Sequence, residues 1–107
     1  MKIIALGKYN ESAWKGMIGS SFNERRKVIE AVISSAGATL TDMMFTRGQY
    51  DIAVTFEVSS EDVALGAAIA INASGAIKDL MTLSEIDIDS ALKTAKNVAK
   101  AYTPPGS

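Results

Sequence analysis

Few side chains in this sequence could do chemistry, and what is missing narrows the choice further. The 107 residues include no histidine and no cysteine. A Ser-His-Asp or Cys-His nucleophilic pair is therefore excluded, as are a His/Cys zinc site, a thiolate-held iron–sulfur cluster and a haem ligated by His or Cys. The remaining candidates are Asp51, Glu57, Tyr9, Tyr50, Trp14 and Arg47. Without histidine, a general base near neutral pH must be a carboxylate whose pKa is raised by burial. Asp51 is the best candidate for that catalytic role. Asp51 and Glu57 are six residues apart, roughly 20 Å along a strand, so they cannot act on one atom together. Thr55 stands between them and can share a ligand with either. The acids Glu85, Asp87 and Asp89 alternate in a pattern that invites a metal site, but they fall at a helix start, where carboxylates favour the dipole. The expectation is no metal and no cofactor.

The charge balance limits the partners. Eleven Lys and Arg against twelve Asp and Glu leave a net charge of −1, which gives no drive toward nucleic acid or anionic lipid. The one basic cluster, Arg25-Arg26-Lys27, reads as a solvated helical face. The weakly polar stretch 63–77 is broken by Gly66, Asn72, Ser74 and Gly75, short of the roughly 20 apolar residues of a membrane span. The apolar start of the chain is too short for a signal peptide. A cytoplasmic protein without nucleic-acid or membrane partners is expected.

These side chains are carried by a recognisable run of elements. Residues 2–9 read as a strand. Segment 10–21 reads as a loop with room for one helical turn, because Gly16 and Gly19 disfavour more. Trp14, in this segment, is either a staple over the sheet edge or the aromatic wall of a pocket with Tyr9 and Phe22. A helix follows over 23–35, with Asn23 as N-cap and an apolar stripe of Val28, Ile29, Val32, Ile33 and Ala36. Strands over 38–46 and 50–58 are joined by Arg47-Gly48-Gln49. In the second of them Tyr50, Ile52, Val54, Phe56 and Val58 point one way, and Asp51, Ala53, Thr55 and Glu57 the other. A helix capped by Ser59 or Ser60 runs to about residue 74. It is alanine-rich and apolar nearly all round, as in helices covered on more than one side. A strand over 76–83 and a helix over 87–102 complete the order. Residues 1–103 form one domain, and 104–107 a frayed tail.

The order β-α-β-β-α-β plus a C-terminal helix gives an α+β, ferredoxin-like plait: a four-stranded antiparallel sheet with helices on one face. The other face is only half polar. Ile3 or Ile4, Met43 or Met44, and Leu80 or Met81 must point outward. A face of that kind suits a second copy of itself. A homo-oligomer is expected, built through the sheet face and the alanine-rich helix.

Gly48-Gln49-Tyr50-Asp51 is a Gly-x-Tyr-Asp tetrad opening a strand. Gly48 permits the turn, Tyr50 is amphipathic, and Asp51 either accepts backbone N–H bonds from the turn or sits in the inter-sheet cleft as acceptor or general base. Together with the element order, the tetrad resembles the GYD-domain family, from the first strand to about Leu83. That resemblance implies a dimeric α/β-barrel-like plait and no established catalytic residue. Where the family usually carries Arg-Thr after a glycine and an apolar residue, this chain has Lys78-Asp79. Lys78 keeps a cation there without the bidentate fork. Similar plaits resemble the effector-binding domains of leucine-responsive regulators, but no DNA-binding helix pair accompanies this one.

The leading functional expectation is a small oligomeric binding or sensor module. It would hold a small, partly apolar ligand in a cleft at the inter-sheet face, using Trp14, Tyr9, Arg47, Tyr50, Asp51, Thr55 and Lys78. One alternative is a cofactor-free enzyme of the dimeric α/β-barrel type, monooxygenase- or isomerase-like. The other is a subunit that only assembles.

Overall fold

The architecture follows from one strand that is apolar on both sides. In the computed structural model, which describes residues 1–106, β1 (Lys2–Tyr9) lies inside a four-stranded sheet. It pairs antiparallel with β3 (Ile52–Glu57) on one side and with β4 (Ile77–Ser84) on the other. β2 (Thr39–Phe45) pairs antiparallel with β3 and closes the order β2-β3-β1-β4. Two crossover helices, α2 (Phe22–Ser35) and α3 (Glu61–Ala73), cover one face. The fold is the expected α+β, ferredoxin-like plait.

The register sorts the side chains into two sets. Toward the helices point Ile3 with Phe56, Ala5 with Val54, and Gly7 with Ile52. Ile3 is fully buried, and Ile33 of α2 and Ala64 of α3 complete the core above it. A Cβ on Gly7 would stand 3.2 Å from Cγ2 of Ile52, so this position keeps the sheet surface low. α2 lies over β2 and α3 over β4, with no extended contact between the two helices.

Three local expectations are corrected. First, Glu11–Ile18 is a two-turn helix, α1, rather than a loop. Asn10 accepts a bond from the Ala13 N–H at 2.8 Å, and Glu11 stands in the first turn. This cap and favourable charge offset the cost of Gly16. Second, α2 begins one residue before Asn23, because Ser21 is its N-cap and accepts from the Glu24 N–H at 3.2 Å. Third, the link between β2 and β3 spans Thr46 to Asp51. The Thr46 N–H donates to the Asp51 carbonyl at 2.8 Å, and its hydroxyl donates to the Tyr50 carbonyl at 2.6 Å.

Asn10 does more than cap. Its backbone N–H donates to the Ala76 carbonyl at 3.2 Å and its amide to the Gly75 carbonyl. Gly75, at a φ of 76°, makes the left-handed turn that brings those carbonyls there. The start of α1 is thereby fastened to the corner between α3 and β4.

The last helix, α4 (Ile88–Ala101), stands apart. Every described residue from Glu85 onward is exposed, and the molecule is drawn out to 62 × 31 × 23 Å. Ser107, the end of the expected tail, lies outside the described residues. Asp87 caps α4, accepting from the Ser90 N–H at 3.1 Å and the Ser90 hydroxyl at 2.8 Å. Those two bonds, the backbone one first, hold its carboxyl below the ordinary 3.8. A lowered carboxyl supports the helix above its unfolded pKa, and the support fades as pH falls through the folded one. Far-ultraviolet circular dichroism should accordingly show helix content declining on acidification below the carboxylate range. Asp87→Ala should lose helix at neutral pH and flatten that part of the profile.

Candidate functional site

The Gly48-to-Asp51 tetrad ends the sheet rather than lining its middle. Gly48 has a φ of 137°, a backbone region open to glycine. The chain then returns so that the Asp51 N–H donates to the Gly7 carbonyl at 2.8 Å. The Asp51 carboxylate accepts the Tyr9 N–H at 2.9 Å. Asp51 thus adds one side-chain rung to the β1–β3 ladder and satisfies a donor that would otherwise end the strand unpaired.

Tyr50 corrects the expected alternation. Its hydroxyl lies 3.7 Å from the Met81 sulfur. Met81 faces Leu6, on the side of the sheet away from the helices. Regular pairing starts only at Ile52, so the period of two does not carry back to Tyr50. The ring rests on the open face, not in the helix-facing layer.

That open face has an apolar middle. Met44, Ala53, Leu6 and Met81 form a row across all four strands. Beside it run Thr55, Ile4 and Leu83. Of the outward candidates, Ile4, Met44 and Met81 take that side, while Ile3 and Met43 are buried and Leu80 is half-buried. Ile4, Met44, Met81 and Leu83 are each between 41% and 50% exposed. Thr55 is bonded hydroxyl to hydroxyl with Thr41 at 2.9 Å, brought there by a bulge between Leu40 and Asp42.

The remaining ligand candidates gather at the sheet end beside α1. The Tyr9 and Trp14 rings meet edge to face with centroids 5.6 Å apart. Tyr9 also stacks on Phe45 at 6.4 Å, and Phe45 meets Phe22 at 6.1 Å. Phe45, the link in this aromatic chain, was not singled out by the sequence. A register shift between Lys8 and Tyr9 bulges Lys78 out of the ladder. Lys78, Tyr9 and Trp14 then line an open pocket of about 500 Å³ with Asn10, Glu11 and Ser12.

The candidate residues therefore divide. Tyr9, Trp14 and Lys78 share the end pocket, whereas Tyr50 and Thr55 lie on the open face. Asp51 is tied to Tyr9 rather than to Thr55. Arg47 is exposed in the connection and has no hydrogen-bond or ion-pair partner among the described residues. Asn10, at the head of the end pocket, was missed. Its signal is an Asn immediately before Glu11, a capping pattern masked by the nearby glycines. Among the described residues no group of three or more His, Cys, Asp or Glu could hold a metal ion, and no helix is long and apolar enough to cross a membrane.

The GYD-domain family model matches residues 3–95, from β1 into α4. The chain belongs to the GYD-domain family. No curated protein matches it. Among solved structures, the crystal structure of FFRP-DM1 resembles this GYD domain with a TM-score of 0.50 and 16% identity, over 79% of this chain and 97% of that one. The likeness is one of fold. In this GYD domain the tetrad is a strand-end device: glycine turns the chain, tyrosine covers a methionine, and aspartate completes the ladder.

If that is the work of Asp51, its removal has a defined cost. Asp51→Ala should lower stability by about 1–2 kcal/mol, because the Tyr9 N–H loses its acceptor. Asp51→Asn, which keeps an acceptor oxygen, should recover most of the loss. Denaturant melts of both variants measure the difference.

Proposed function

We propose that this GYD domain is an oligomeric binding module. Two copies oppose their open sheet faces and hold a small, partly apolar ligand in the cleft between them. The observation that carries this reading is the row of Met44, Ala53, Leu6 and Met81 across the face without helices. Large apolar groups left half-exposed in one continuous patch mark an interaction surface. Methionines give such a surface an adaptable wall. Tyr50, resting on Met81, supplies a hydroxyl beside the cleft, and the Thr41–Thr55 pair supplies two more. An isologous pairing of this face sets apolar centre on apolar centre. The alanine-rich α3 offers a second patch, with Leu65 and Ile69 exposed on its outer side.

A second reading puts the ligand in the end pocket. Its observation is Trp14, still 42% exposed although its ring meets Tyr9, with the Lys78 amine on the same pocket. An apolar anion suits that combination. Here Trp14 fluorescence, from the only tryptophan in the chain, responds to the ligand, and Lys78→Ala weakens the response.

Native mass spectrometry of freshly purified protein tests the main reading by reporting subunit number and any retained small molecule together. The wild type should be a dimer or larger. Met81→Asp or Leu83→Asp, each placing a charge in the face, should reduce the subunit number and release the ligand. A wild-type monomer, or a Met81→Asp variant that assembles unchanged, refutes the sheet-face cleft.

A further inference from the structure

The chain carries an apolar groove without an occupant and an apolar helix without a seat. The groove runs along the helix-covered side of the sheet, between α2 and α3, and encloses about 440 Å³. Its floor is low, because β1 presents Ala5 and Gly7 there. Val28 and Val32 of α2 line one wall, and Ala67 and Ile71 of α3 the other. Small residues on a wall let a helix come close.

The matching element is α4. Ile88, Leu92, Ala95, Ala99 and Tyr102 recur at spacings of three and four and form one apolar stripe. Lys93, Asn97 and Lys100 occupy the other side. The stripe is bare: Ile88, Leu92 and Tyr102 are all more than half exposed. We propose that α4 of one copy docks in the groove between α2 and α3 of a second copy.

Charge decides both the direction and the source. The basic triad of α2, Arg25-Arg26-Lys27, follows Glu24 of the first turn and lies toward the Gly7 end of β1, where Phe22 meets Phe45 and Phe45 pairs with Ile52. The acidic start of α3 lies at the opposite end, where Glu61 accepts the Ser84 hydroxyl at 2.6 Å and Ser84 pairs with Ile3. α4 has the complementary order, with Asp87 and Asp89 at its start and Lys93, Lys96 and Lys100 following. It fits with its acidic start against α2's basic triad and its lysines running toward the end that carries Glu61 and Asp62. Arg25 strengthens the match: it lines the groove, and its Nε is buried without a hydrogen-bond partner. An incoming carboxylate such as that of Asp89 meets that need.

The chain's own α4 is badly placed for this. It leaves the sheet after Ser84, beside Glu61, by a link of three residues, Glu85 to Asp87. Folded back on its own groove, it would put acidic start beside acidic start and turn its lysines toward Arg25. A helix arriving from a second copy enters in the favourable direction. This contact is independent of the sheet-face pairing.

The absence of cysteine makes the test clean. Leu92→Cys protein is mixed with tagged Ala67→Cys protein and oxidised gently. A disulfide-linked heterodimer is expected, with no comparable product when Lys93→Cys, on the polar side, replaces Leu92→Cys. Failure to form it overturns the proposal, as does equal linkage by Lys93→Cys. So does a double variant, Leu92→Cys with Ala67→Cys, that closes an internal disulfide and stays monomeric. Because α4 contributes no residue to the core and is exposed along its length, Leu92→Asp should fold. It should lower the subunit number seen by light scattering while leaving the pairing that Met81→Asp disrupts. A Leu92→Asp protein of unchanged subunit number also refutes the exchange.

Discussion

The structure depends on the double-sided character of β1. Ile3, Ala5, Gly7 and Tyr9 face the helices, and Ile4 and Leu6 face away. An interior strand with apolar groups on both sides has two faces that gain from cover, and two crossover helices can cover only one. The helix side is settled within the chain by Ile33, Ala64 and the residues around Ile3. The other side is not, although removing Ile4, Met44, Met81 and Leu83 from water would be worth about 1 kcal/mol or more each. The apolar row of the open face is thus continuous with the central strand rather than confined to an edge.

The same strand explains why the tetrad stands where it does. β1 outlasts its partner β3, which begins at Ile52 opposite Gly7. Beyond that point the backbone donor of Tyr9 would face no carbonyl, and the Asp51 carboxylate fills the place. The fold thereby keeps β1 extended to Tyr9, which the aromatic chain with Trp14, Phe45 and Phe22 requires. A motif that looks like a cluster of reactive groups is, in its observed hydrogen bonds, a device for ending a sheet.

Much of this was legible in the sequence, and the exceptions have physical causes. The alternation of Ile52, Val54, Phe56 and Val58 reports burial directly, because in a pleated strand only one side can meet the helices. It misleads at Tyr50, where a bend ends the pleat and parity loses its meaning. Glycine content hid α1, since propensity is summed over residues whereas a cap acts at one position, Asn10. The face carrying Met44 and Met81 was readable as one of two parities, and only cross-strand register chose between them. Lys78 was placed by resemblance, but its position on the end pocket comes from a bulge that no periodicity announces. The spacing of Ile88, Leu92, Ala95 and Ala99 makes an apolar stripe on α4, yet a stripe shows which side of a helix gains from cover and not where the cover is.

The two bonds from Asn10 to the carbonyls of Gly75 and Ala76 join stretches of chain that are at least 65 residues apart in sequence. One residue, through its backbone and its side chain, is therefore a rivet between the first corner of the fold and the one that precedes β4. Trp14 rides on the helix that Asn10 begins, and Lys78 follows the turn that Asn10 grips. Any tilt of that short helix has to drag the entry of the edge strand with it, so the tryptophan and the lysine keep a fixed spacing instead of drifting as two independent surface groups.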